Sequence, residues 1–132
     1  MKRILIAPEE IWPFQADVGV SLPLTRYVQE MGWKDIPPVP VFEIPQDVQR
    51  EHSYILMDGN HRREVALHLE LELPCALYEF GESIDTVRDG LASFRYSTDP
   101  KIYEKLFAGY QIRNGLHRRV MRRLERMKHA SR

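Results

Sequence analysis

Tyr54-Ile55-Leu56-Met57-Asp58-Gly59-Asn60-His61-Arg62-Arg63 carries the chain from an apolar run into a helical pattern. Tyr54 to Met57 has strand length and follows the polar Gln49-Arg50-Glu51-His52-Ser53, so it predicts a strand. From Arg63 to about Glu70, the residues Val65, Ala66 and Leu69 recur at helical spacing and predict a helix with one apolar stripe. Gly59 lets the chain turn sharply and approach a ligand without a Cβ in the way. Asn60 is a favourable N-cap. Unpaired amides and the positive end of the helix dipole meet at such a junction, which suits an anion, phosphate above all. His61 and Arg62 fall in the first helical turn, where cations are ordinarily disfavoured, and an anionic ligand would remove that conflict. The competing reading is structural: Asp-Gly-Asn is ordinary turn chemistry and His-Arg a solvated helix start.

Working outward, Leu24 to Met31 predicts a short helix with Ser21 as N-cap, Pro23 in its first turn and Gly32 past its end. Pro37, Pro38 and Pro40 keep the next segment extended, so it enters the sheet at an edge or through its first residues. After the core, Ser83 reads as a helix cap before Ile84, Val87 and Leu91. Asp99 and Pro100 mark the start of a further helix through Ile102, Tyr103, Leu106 and Phe107 to Gly109.

The order of these parts resembles the ParB/sulfiredoxin superfamily over residues 3 to 80. The residues that carry the likeness are Ile36 to Ile44, Tyr54 to Met57, the turn Asp58-Gly59-Asn60-His61-Arg62 and Leu73-Pro74-Cys75-Ala76-Leu77-Tyr78. Ile4 to Pro13 is similar to the family's opening strand and turn. The resemblance implies an α+β core, a small mixed sheet with helices, whose G-x-H-R turn holds the phosphates of ATP, ADP or CTP. Gly59, Asn60, His61 and Arg62 are the residues implied, with Thr25 and Arg26, or Ser21, reaching the phosphates from the preceding helix. Family chemistries diverge among sulfinic-acid repair, free-serine phosphorylation and a CTP-controlled DNA clamp, so the fold does not choose the function.

Departures from the family pattern narrow that choice. Asn60 stands where sulfiredoxins carry their nucleophilic Cys, and Cys75 lies on the following strand, where it reads as a buried apolar residue. Asp58-Gly59-Asn60-His61-Arg62 is nearer to the Asp-Gly-His-His-Arg turn of the free-serine kinases than to the Gly-Glu-Arg-Arg turn of the clamps. Gln15 falls where those kinases place a Glu, and Gln cannot serve as a general base, which leaves Asp17 as the nearest substitute. Within the turn, Asp58 and His61 are the candidate catalytic groups. Asp58 would hold a nucleotide-bound Mg²⁺, or else bond its own backbone as a turn residue. With one Cys and no HExxH pattern, nothing assembles a zinc site.

At 132 residues, 43% apolar and 29% charged, the chain has the proportions of one globular unit. The expected organisation is a core over 1–80 and an all-helical extension over 81–132. No run of about 18 apolar residues occurs and the apolar stretch at the N-terminus is too short for a signal peptide, which predicts a cytoplasmic protein without a membrane role.

Zero net charge conceals an asymmetry. Of the 19 basic and 19 acidic residues, eight and one fall within Gln111 to Arg132, leaving eleven and eighteen elsewhere. The tail is therefore +7 and the body −7. Leu116, Val120, Leu124 and Met127 give the tail one apolar helical stripe, flanked by Arg118, Arg119, Arg122, Arg123 and Arg126. The stripe could pack on the acidic body, on a second copy in a homodimer, or on a partner protein. Alternatively the arginines contact DNA or RNA phosphates, as in a non-catalytic nucleic-acid-binding or regulatory module.

Overall fold

The computed structural model describes residues 1–13, 18–49, 51–91, 102–113 and 126. Along the chain these form strands β1 (Lys2–Ile6) and β2 (Ile11–Trp12), helix α1 (Leu22–Met31), strands β3 (Val39–Glu43) and β4 (Tyr54–Leu56), helix α2 (Asn60–Leu69), strand β5 (Leu73–Tyr78) and helix α3 (Ile102–Arg113). The strands make one mixed sheet in the order β1-β5-β3-β4-β2. β3 is antiparallel to β4 and parallel to β5, β1 is antiparallel to β5, and β2 is parallel to β4. The fold is thus α+β, with β1 and β2 as its edges.

Alternation along each strand sends successive side chains to opposite faces. One face gathers Ile6, Val39, Val41, Leu56, Leu73 and Cys75 against Ala66 of α2. The other gathers Phe42, Ile55, Ala76 and Tyr78 against Ile102, Tyr103, Leu106 and Tyr110 of α3. Rings dominate this second layer: Phe42 meets Tyr103 edge-on at 5.0 Å, and Trp12 meets Tyr110 edge-on at 5.5 Å. α3 therefore completes the core that residues 1–80 only half enclose, which is why the chain cannot be divided at residue 80 without baring an aromatic surface.

Proline in a central strand is unusual, and Pro40 shows how it is tolerated. Its carbonyl accepts from the Met57 N–H at 2.9 Å, so its missing N–H also falls on the β4 side. β4 has ended there at Leu56 and the chain is already turning away, so little ladder is lost.

Helix α1 starts at Leu22, two residues before the expected start. Ser21 caps it as expected, its hydroxyl accepting from the Leu24 N–H, and Gly32 follows its end. The predicted helix after Ser83 does not form. The chain makes a single turn capped by Asp85, whose carboxylate accepts from the Arg88 N–H at 3.0 Å. Gly90, in the left-handed region at φ 73°, ends that turn and lets Leu91 N–H bond back to Thr86 O. Ile84 and Leu91 are buried as the spacing suggested, while Val87 is exposed. The segment 81–91 is accordingly turn rather than helix, because two apolar anchors seven residues apart are satisfied by one capped turn. α3 runs past Gly109, where it was expected to stop. Asp99 and Pro100 lie outside the described residues.

Two anchors fix the turn segment to the sheet: the Tyr78 hydroxyl donates to Asp89 Oδ2 at 2.6 Å, and Arg3 donates to the Asp89 carbonyl at 3.1 Å. No helix among the described residues is long and apolar enough to cross a membrane.

Candidate functional site

Leaving β4, the chain turns through Met57 and Asp58 into α2. Asp58 Oδ1 accepts from the Gly59 N–H at 2.8 Å, so the carboxylate braces the turn, as the structural reading of this residue expects. The N-cap is Gly59, one residue earlier than the expected Asn60, which is the first helical residue instead. The reason lies in the backbone. Gly59 has φ 97° and ψ 37°, a left-handed conformation that reverses the chain and that a side chain disfavours. A Cβ there would lie 2.9 Å from Arg62 Nη2 and 3.0 Å from both Arg62 Nε and Val39 Cγ2. The missing side chain makes room for the guanidinium.

Arg63 N–H closes the first helical bond onto Gly59 O at 3.0 Å, whereas the His61 and Arg62 amides find no protein acceptor among the described residues. They are the orphan donors expected at a helix start. His61 is exposed and Asn60 half-buried. Arg62 folds inward, its Nη1 donating to the carbonyls of Pro37 at 2.7 Å and Pro38 at 3.4 Å. Burial works against its charge and lowers its pKa, with Asp58 and Cys75 offsetting part of that effect. Among the described residues no carboxylate lies within ion-pair distance of Arg62. His61 and Arg62 therefore do not line one closed hollow. His61 stands exposed at the helix start, whereas the Arg62 guanidinium packs against Gly59.

Arg63 is a different case. It is 7% exposed, its Nε donates to Ile11 O at 2.9 Å, and its Nη1 pairs with Glu64 at 2.9 Å. It pins α2 to β2 and has no free face for a ligand.

Of the residues expected to reach over from α1, Thr25 is buried with its hydroxyl donating to Ser21 O at 2.7 Å, and Arg26 is exposed. Neither makes a bond to Gly59–Arg62 among the described residues. Gln15 and Asp17 lie outside those residues, as do Arg118, Arg119, Arg122 and Arg123; Arg126 is helical and exposed. Cys75 is fully buried, its thiol donating to Leu73 O, and burial pushes it up to about 12, against a smaller downward pull from Arg62. It is a core residue and no nucleophile at neutral pH. Among the described residues no group of three or more His, Cys, Asp or Glu could hold a metal ion.

Sequence reasoning missed the Pro37 and Pro38 carbonyls, which orient Arg62. Those prolines read locally only as extended chain, and nothing in the run signals that it meets a helix 24 residues on. Comparison with protein-family models and with curated proteins finds no match for this chain.

Proposed function

We propose that the start of α2, Gly59 to Arg62, binds phosphate groups of a nucleotide (ATP, ADP or CTP) on a ParB/sulfiredoxin-like core. One observation carries the reading. A guanidinium held largely out of water, bonded to two neutral carbonyls and, among the described residues, ion-paired to no carboxylate, with Asp58 offsetting only part of the effect of burial, sits beside a helix N-terminus that already carries positive partial charge. Such a cation costs free energy unless an anion joins it. The His61 and Arg62 amides of the same helix start have no protein acceptor among the described residues. Phosphate supplies both the counter-charge and the acceptors.

In phosphoryl transfer or nucleotide hydrolysis, Arg62 and the amides would stabilise charge on the moving group, and His61 would bond a phosphate oxygen or act as acid and base. Asp58 spends Oδ1 on the turn, which leaves Oδ2 for a nucleotide-bound Mg²⁺. The supporting experiment is a thermal-shift series with nucleoside mono-, di- and triphosphates, each with and without Mg²⁺. Melting should rise with phosphate number and should stop doing so in His61→Ala and Arg62→Met. A series in which no nucleotide stabilises the wild type would dispose of the proposal.

The charge asymmetry favours a second reading, in which the tail's arginines contact DNA or RNA independently of the turn. Duplex binding that persists in His61→Ala and weakens steeply with added salt would support it; binding indifferent to salt would not.

A further inference from the structure

The outer edge of the sheet carries a separate inference, independent of the nucleotide proposal. β1 pairs only with β5, and no backbone group of Lys2 to Ile6 is bonded on its outer side among the described residues. Native proteins usually blunt such edges with charge, proline or a bulge. Here only half the strand is blunted: Lys2 and Arg3 are charged, while Ile4, Leu5 and Ile6 form an apolar half with no proline. Leu5 is 61% exposed. Beside it, Arg3, Leu5, Ile36, Pro38 and Pro74 help line an open groove of about 370 Å³.

We propose that a second copy of this chain adds its β1 to this edge, antiparallel about a two-fold axis at Ile4, giving a continuous ten-stranded sheet. The pattern of the strand selects the direction and register of that pairing. Antiparallel pairing centred on Ile4 sets Lys2 against Ile6 and Arg3 against Leu5 of the other copy, so each cation stands opposite an aliphatic side chain and none directly opposite another cation. A parallel pairing in register would stack Lys2 on Lys2 and Arg3 on Arg3, which like-charge repulsion opposes. The two-fold arrangement also makes the same patch serve on both copies, as a closed dimer requires. Leu5 of one copy then lies along the methylene stem of Arg3 of the other, at the rim of the groove. Arg3 remains available, because only its Nη2 is engaged, on Asp89 O.

The test is sedimentation equilibrium of the full chain from low to high micromolar concentration, comparing wild type, Leu5→Lys and Leu5→Glu. Leu5 is exposed, so neither change threatens the fold, and circular dichroism verifies this. Leu5→Lys places a cation against Arg3 of the other copy and should weaken dimerisation about tenfold or more. Leu5→Glu places a carboxylate there and should keep the dimer while making it weaken with added salt. Loss of the dimer in both variants alike would mean nonspecific apolar contact and overturn the register. A dimer indifferent to both would place the interface elsewhere, for instance on the C-terminal segment, and a wild type that stays monomeric throughout would refute the proposal outright.

Discussion

Gly59→Ala isolates the backbone device on which the α2 turn depends. At φ 97° an alanine carries about 1–2 kcal/mol of left-handed strain. Its Cβ would also stand 2.9 Å from Arg62 Nη2, so the guanidinium must shift and lose its bond to Pro37 O. A hydrogen bond from a charged donor is worth about 1.5–3 kcal/mol, and part of it would be recovered in water. Together these put the expected loss at about 2–4 kcal/mol. For 132 residues at about 2.1 cal/mol/K of unfolding entropy each, that lowers Tm by about 7–14 °C. Calorimetry gives Tm, and urea unfolding gives the free energy. Gly59→Asn separates the two contributions, since Asn tolerates left-handed backbone yet carries the same Cβ, and it should recover most of the strain but none of the crowding. Any nucleotide-induced stabilisation should vanish in both variants. An alanine variant within about 0.5 kcal/mol of wild type, the range of neutral surface changes, would refute the argument.

Other outcomes follow from side chains already placed. Arg63→Met removes the buried bond to Ile11 O and should cost about 1.5–3 kcal/mol in urea unfolding, with Arg63→Lys recovering little because a single ammonium cannot serve both Ile11 O and Glu64 from the same stem. His52 has its Nδ1 buried without a partner among the described residues; burial chiefly, and Arg63 next, hold its pKa below 6.5. The folded protein thus binds that proton less readily than the unfolded chain, so its penalty is absent above pH 6.5 and grows as pH falls below it, levelling off beneath the folded-state pKa. His52→Gln should flatten that part of the stability profile relative to wild type. Asp89, held below 3.8 chiefly by the Tyr78 hydroxyl, contributes stability that is lost as pH falls beneath that value, and Asp89→Asn should remove this acid-side slope. Native Cys75 should resist alkylation at pH 8 and react only on unfolding, which mass spectrometry would detect.

What could be read from the sequence was local. Ser21, Pro23 and Gly32 bracket α1 because capping chemistry acts within a few residues, whereas Leu73 to Tyr78, which coincides with β5, is expected from the family resemblance rather than from a local signal. The turn before α2 was located, yet its cap was misplaced by one residue: composition favours Asn60, while the required φ favours Gly59. Ile84 and Leu91 were recognised as buried, but their spacing fits a single capped turn as well as a helix. The inward path of Arg62 had no local signal at all, since it depends on carbonyls that only the packed sheet brings alongside. The strand order, which makes β1 an edge and covers the second face with α3, rests on the same kind of long-range contact.

That second face has a consequence for synthesis. Tyr78 completes the sheet, but among the described residues the cover over Phe42, Ile55 and Tyr78 is complete only when α3 has been made through Tyr110. At 5–20 residues per second the intervening stretch takes roughly 2–6 s to translate. During that interval the nascent chain presents an unroofed aromatic plane, a natural target for a chaperone and a moment of vulnerability to misassembly with its neighbours on the same message.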